Sequence, residues 1–192
     1  EVGHAKNVAN FADLIAYCTA YGATYNPSKT ALQLTELNTL LTSAQTELSN
    51  VTTAKNAFDT VTGDRQLAFE PLKSLATKVF NYLSVTDATN QTIADAKTIN
   101  NKLQGRRSGT VSETPPTEGG TEPNTVSVSR QSYDMLTENF SALIDLVSSV
   151  PSYTPNETEL TTASLTIFHA HLQTANTNVI NAEVAYSNAR IS

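Results

Sequence analysis

Residues 25–37 read YNPSKTALQLTEL and residues 153–165 read YTPNETELTTASL, so the chain makes one local statement twice, 128 positions apart. Sliding the sequence by that interval pairs Tyr25 with Tyr153, Pro27 with Pro155, Thr30 with Thr158, Leu32 with Leu160 and Leu37 with Leu165. The register then holds without a gap through Gln45 and Gln173, Asn50 and Asn178, Val51 and Val179, and Ala54 and Ala182, until Phe58 meets Tyr186. A shift of 129 pairs Asn10-Phe11 with Asn139-Phe140 and Leu14-Ile15 with Leu143-Ile144, which carries the repeat back through the preceding segment.

Each copy reads as a helical hairpin. Val8, Phe11, Leu14, Ile15 and Cys18 recur at three- and four-residue steps, the spacing of one helix face, over a first helix from about Ala5 to Tyr21. Gly22 follows as its left-handed stop. A second helix is expected from near Pro27 to about Thr62, on a stripe of Leu37, Leu40, Ala44, Val51, Ala54, Phe58 and Val61 that Glu47 interrupts and Leu34, Leu41 and Leu48 widen. Proline suits a first helical turn, where its missing N–H would be unbonded anyway. The Tyr two residues before each proline is expected to brace the corner, and Thr154 with Glu157, or Asn156 with Glu159, offers a capping box in the second copy.

Gly63-Asp64 is expected to end the second helix. A third follows from around Glu70, with Pro71 in its first turn and Leu72, Leu75, Ala76, Val79, Phe80 and Leu83 on one face. A fourth, Asn90 to Gln104, carries the narrower stripe Ile93, Ala96, Ile99 and Leu103, as an edge or lid helix would. Gly105 closes it, with Arg106 and Arg107 near its negative end. A fifth, from about Ser129 to Ser149, uses Tyr133, Leu136, Phe140, Leu143, Ile144 and Val147, and a sixth runs from near Pro155 to about Arg190. No segment alternates with the two-residue period of a strand.

The reading is therefore all-α, a bundle of about six helices. A single hairpin cannot bury its own stripe, so the two copies are expected to pack as a pseudo-symmetric four-helix core. The organisation read from the chain is a helical unit 1–107 (hairpin 5–62 plus helices 66–104), a linker 108–126, and a second hairpin unit 127–192, packed with the first as one domain. Residues 108–124, SGTVSETPPTEGGTEPN, have a flexible-linker composition. The second copy reaches Ser192 without a counterpart of the third and fourth helices, so either the duplication is partial or the natural chain continues.

The passages FEPLKSLATKVFNYL (69–83), SVTDATNQTIADAKTINNKLQGRR (84–107), YTPNETELTTASL (153–165) and NTNVINAEVAYSNARIS (176–192) resemble a group of uncharacterised helical proteins from Bacteroidota-type bacteria. The resemblance implies a helical repeat fold and carries no activity or catalytic motif. In such relatives the second unit continues after the NARI segment.

Charged residues are 16% of the 192, against roughly 25% in an ordinary soluble domain. The surface is polar mainly through hydroxyls and amides. A net charge of −6 with twelve scattered basic residues argues against a nucleic-acid binder, which concentrates Lys and Arg to displace counterions from phosphates. The apolar runs fall far short of the ~18 residues of a membrane-spanning helix. No signal peptide is visible and the chain opens at Glu1, which leaves both a cytoplasmic and a secreted location open. Cys18 is the one cysteine, so no intrachain disulfide forms.

The sharpest candidates for chemistry are His169, Asn176 and Glu183, at seven-residue steps on the sixth helix where the first copy has Leu41, Leu48 and Lys55. They form a ligand-binding stripe or, as the favoured reading, a solvated face. Seven residues is about 10.5 Å of helix, so they cannot meet at one ion without help from another element. His169 and His171 point to nearly opposite sides, unlike the i, i+4 pair of helical zinc sites. No HExxH, paired-cysteine, nucleophile-elbow or P-loop pattern is present, and Gly119-Gly120 has no flanking strand. The glycosylation pattern at Asn50, Asn90, Asn139 and Asn156 is what this Asn-, Ser- and Thr-rich composition yields unaided.

The expectation is a non-enzymatic structural or protein-interaction module, with no cofactor, no metal and no catalytic residue. A protein partner or self-association would use an exposed face of the long helices. The alternatives are a small-molecule or metal site on the sixth helix and a membrane-active helical protein.

Overall fold

A computed structural model describes residues 2–106 and 131–191; the expected linker, 108–126, lies outside them together with Arg107 and Ser129. The described residues form an all-helical bundle without β-strands. Its six helices are α1 (Val2–Ala20), α2 (Leu34–Phe69), α3 (Leu72–Leu83), α4 (Asn90–Gln104), α5 (Tyr133–Ser148) and α6 (Thr162–Ile191). Short 3-10 turns occupy Gly22–Thr24, Thr30–Leu32 and Thr158–Leu160.

Local chemistry sets most boundaries. Gly22 has φ +56°, the left-handed stop expected after α1. Gly105 has φ +76°; Arg106 N–H returns to the Asn101 carbonyl (2.9 Å) and Gly105 N–H to that of Lys102 (3.1 Å), which satisfies carbonyls that α4 would otherwise orphan. The Thr89 hydroxyl accepts from Thr92 N–H at the start of α4, and the Ser132 hydroxyl accepts from Met135 N–H at the start of α5.

Three expectations are corrected. The long helices begin at Leu34 and Thr162 rather than near the prolines, because a 3-10 turn intervenes in each copy. Neither candidate capping box starts α6; the Thr161 hydroxyl caps it instead, accepting from Ser164 N–H at 3.3 Å. The second helix also runs through Gly63 to Phe69. An interior glycine costs about 1 kcal/mol relative to alanine, and burying the Phe69 side chain contributes about 1.5–3 kcal/mol, so continuation wins.

Threonine is abundant in α2, although it is a mediocre helix former. Thr39, Thr42, Thr46, Thr52, Thr60 and Thr62 each donate the hydroxyl to the carbonyl four residues earlier. Competition with the helix is thereby turned into an internal bond.

The chain divides into two compact units, each drawing on distant parts of the sequence: Glu1–Thr62 with Val179–Ser192, and Gly63–Asn178. The second holds the end of α2, then α3, α4, α5 and α6 as far as Asn178. Its core gathers Phe69, Leu72, Val79, Leu83, Leu103, Phe140, Leu143, Val147, Leu160, Leu165 and Leu172. The α3 stripe predicted from sequence is wholly buried at Leu72, Ala76, Val79 and Leu83. Phe140 meets Phe168 edge-on at 5.7 Å while Asn176 reaches Asp134, so α5 and α6 run antiparallel.

The other unit holds α1, its elbow, α2 as far as Thr62 and the end of α6. It buries Ile15, Cys18, Leu37 and Val179. Phe58 and its repeat counterpart Tyr186 stack at 6.2 Å with an interplanar angle of 17°. Leu14 and Leu40, read from sequence as core, are exposed here.

Candidate functional site

The two elbows are built alike, and neither proline lies in a helix. Tyr25-Asn26-Pro27 and Tyr153-Thr154-Pro155 are irregular, two bends follow, and then the 3-10 turns at equivalent positions. In each, the tyrosine hydroxyl donates to a leucine carbonyl seven residues on: Tyr25 Oη to Leu32 O at 2.7 Å, Tyr153 Oη to Leu160 O at 2.9 Å. One side chain thus spans the loop in each elbow.

The elbows differ in what lies over them. In the Gly63–Asn178 unit, α3 crosses the 153–160 elbow: Tyr82 stands edge-on to Tyr153 at 5.2 Å and donates its hydroxyl to Thr154 O at 2.7 Å. Lys78 adds an ion pair with Glu159 at 2.7 Å. Burial first, then the neighbouring Tyr82, pushes the Tyr153 phenol up to about 12. The Tyr25 phenol is also raised, by desolvation first and then by the Cys18 thiol. The position of Glu159 is taken by Ala31 in the first copy.

The same positions are accordingly covered in one copy and bare in the other. Leu143 is 0% exposed and its counterpart Leu14 is 54% exposed; Leu160 is 3% exposed and its counterpart Leu32 is 47% exposed. Half-buried Leu146, Val150 and Phe168 correspond to exposed Tyr17, Tyr21 and Leu40. Leu14 and Tyr17 on α1, and Tyr21 just past its end, fall on one side by their three- and four-residue spacing. Of the eleven large hydrophobic residues exposed among the described residues, eight fall in the unit containing α1. Single exposed apolar residues are ordinary, whereas a grouped set marks an interaction surface.

Periodicity alone missed this face, because it marks a stripe as apolar without saying what covers it. The available signal was in the alignment of the copies, where Tyr17 replaces Leu146 and Tyr21 replaces Val150. Tyrosine tolerates a half-wet position that an aliphatic residue does not favour.

His169, Asn176 and Glu183 occupy three different environments. His169 is half-buried with its ring 6.4 Å from that of Phe140. Asn176 is buried, and its amide donates to Asp134 Oδ1 (3.2 Å) and Thr137 Oγ1 (3.4 Å). Its Oδ1 has no hydrogen-bond partner. Glu183 and His171 are exposed. Asn176 is therefore a polar contact inside the α5–α6 seam rather than part of a solvated face. No group of three or more His, Cys, Asp or Glu among the described residues is arranged to hold a metal ion.

A cleft of about 300 Å3 opens between α3 and the start of α6, lined by Pro71, Ser74, Leu75, Lys78, Glu159, Ser164 and Phe168. The Lys78–Glu159 pair crosses it, and none of His169, Asn176 and Glu183 lines it.

No family model, no curated protein and no solved structure matches the chain.

Proposed function

We infer that this protein is a non-enzymatic helical module that binds a protein partner through the α1 face and first elbow of the unit holding the chain's first 62 residues. The observation carrying this reading is the contrast between repeat-equivalent positions: Leu14 and Leu32 lie exposed where Leu143 and Leu160 are buried. The arrangement suits helix-based recognition, in which an amphipathic element lays its apolar face against a complementary one. Tyr17 and Tyr21 are the residue type that most often anchors such contacts, being large, amphipathic and restricted to few rotamers. For the alternative of membrane activity, no helix among the described residues is long and apolar enough to cross a bilayer.

The test is the behaviour of the full chain in solution, comparing it with a Leu14→Gln/Tyr17→Gln variant. An environment-sensitive apolar dye should bind the unaltered chain and lose most of that binding in the variant, and sedimentation velocity should show weak, concentration-dependent association that the variant lacks. A chain that neither binds dye nor self-associates, and that the variant leaves unchanged, would defeat the reading.

A further inference from the structure

The geometry points to an amphipathic helical hairpin, contributed by another polypeptide and packing as α3–α4 packs in the other unit, as the occupant of the exposed α1 face. This rests on the interaction-module reading and adds the kind of partner.

In the Gly63–Asn178 unit the second elbow and α5 are covered by α3 and α4, whose Leu72, Ala76, Val79, Leu83, Ala96 and Leu103 reach 0% exposure in one shared core with Leu143, Tyr153 and Leu160. The first copy keeps the framework of that receiving surface. Its elbow keeps the tyrosine-to-leucine carbonyl bond, the 3-10 turn and the register of the following helix. Leu14, Ile15, Tyr25, Leu32 and Leu37 are identical to Leu143, Ile144, Tyr153, Leu160 and Leu165.

Among the described residues, Leu14, Tyr17, Tyr21 and Leu32 of the first copy stay exposed. The chain's own α3–α4 hairpin is committed to the Gly63–Asn178 core, where Leu72, Val79, Leu83 and Leu103 are 0% exposed. The partner's chemistry follows from what α3–α4 presents: a buried stripe of leucine and valine interspersed with alanine. Two differences adapt the surface. Ala31 replaces Glu159, which removes the acceptor for a basic residue such as Lys78, so no charged anchor is required at that point. Tyr17 and Tyr21 replace Leu146 and Val150, which demands smaller residues opposite them.

The probe is a fluorescently labelled peptide of residues 70–106, the α3–α4 sequence itself, titrated with the full chain and followed by anisotropy. Hydrogen exchange with unlabelled peptide locates the contact. Saturable binding is expected, with protection on α1 and residues 22–32, and Leu14→Asp should weaken it by about tenfold or more, the loss expected when a charge is set into an apolar contact. Tyr17→Asp serves as the second variant, and far-ultraviolet circular dichroism verifies that both remain folded.

Absence of saturable binding would overturn the proposal, as would protection falling on α5 instead, which would mean exchange with the chain's own hairpin. Insensitivity to both substitutions would overturn it too. If the peptide fails while Leu14→Asp still abolishes self-association, the interaction module stands and a second copy is the occupant. If the peptide fails and the chain is a monomer with no dye binding, both readings fall.

Discussion

Leu14 and Leu143 occupy one position of the repeat, so truncating each to alanine compares identical chemistry in two surroundings. Leu143 is 0% exposed within the core shared with Leu72 and Phe140, and Leu143→Ala removes three buried carbons and leaves a cavity, at a cost of about 3–4 kcal/mol. Leu14 is 54% exposed, so Leu14→Ala gives up less than half of a leucine's transfer free energy and leaves no enclosed void, at a cost below about 1 kcal/mol. Urea unfolding followed by circular dichroism measures the two losses, and native-state hydrogen exchange resolves them locally. Since 1.4 kcal/mol is tenfold in an equilibrium constant, α5 amides should lose protection by about 100-fold or more in Leu143→Ala, while α1 amides in Leu14→Ala should change by less than about tenfold. Losses of similar size would refute the asymmetry on which the functional reading stands.

Two further outcomes follow from the polar contacts. The Tyr153 phenol ionises at about 12 in the folded chain against an ordinary value of 10.0, so the folded state holds its proton more tightly and stability should fall as pH rises through the interval between those values. Tyr153→Phe should remove that pH dependence and, by leaving the Leu160 carbonyl without the hydroxyl, cost about 1–2 kcal/mol at neutral pH in a thermal melt. Asn176→Leu restores the residue type of the first copy and removes a buried oxygen that has no partner, while Thr137 keeps its bond to the Tyr133 carbonyl. The variant should be as stable as the parent or gain about 1 kcal/mol in urea.

Much of the helical fold was legible because stripe spacing and stop residues act locally. The α4 helix is bounded where Gly105 and the run after Thr89 place it, and the α3 stripe is buried as its period requires. The elbows were legible as corners but not in detail. A proline after tyrosine suits both a helix start and an extended approach to a 3-10 turn, and the carbonyl that the tyrosine bonds lies seven residues away. The path of α2 through Gly63 depended on the burial of Ala68 and Phe69, which no local rule reports. For the candidate surface the difficulty was of another kind. Leu14 and Leu143 sit in matching sequence patterns, so only the elements packed over them tell a core from an open face. Asn176 likewise sits on the same seven-residue stripe as exposed Glu183 but opposite Asp134 and Thr137.

The threonines of α2 hold their hydroxyl protons against their own helix, so the groups they turn outward include Cγ2 methyls. Together with the low share of charged residues, this gives a surface whose charges are sparse, although they sum to −6. Long-range steering accelerates the encounter of strongly charged partners and fades as salt is added. A partner that itself carries little net charge, as an apolar helical face would, should arrive at the unsteered rate of roughly 10⁵–10⁶ M⁻¹s⁻¹ with little dependence on salt, and selectivity should reside in how slowly a well-fitted partner leaves.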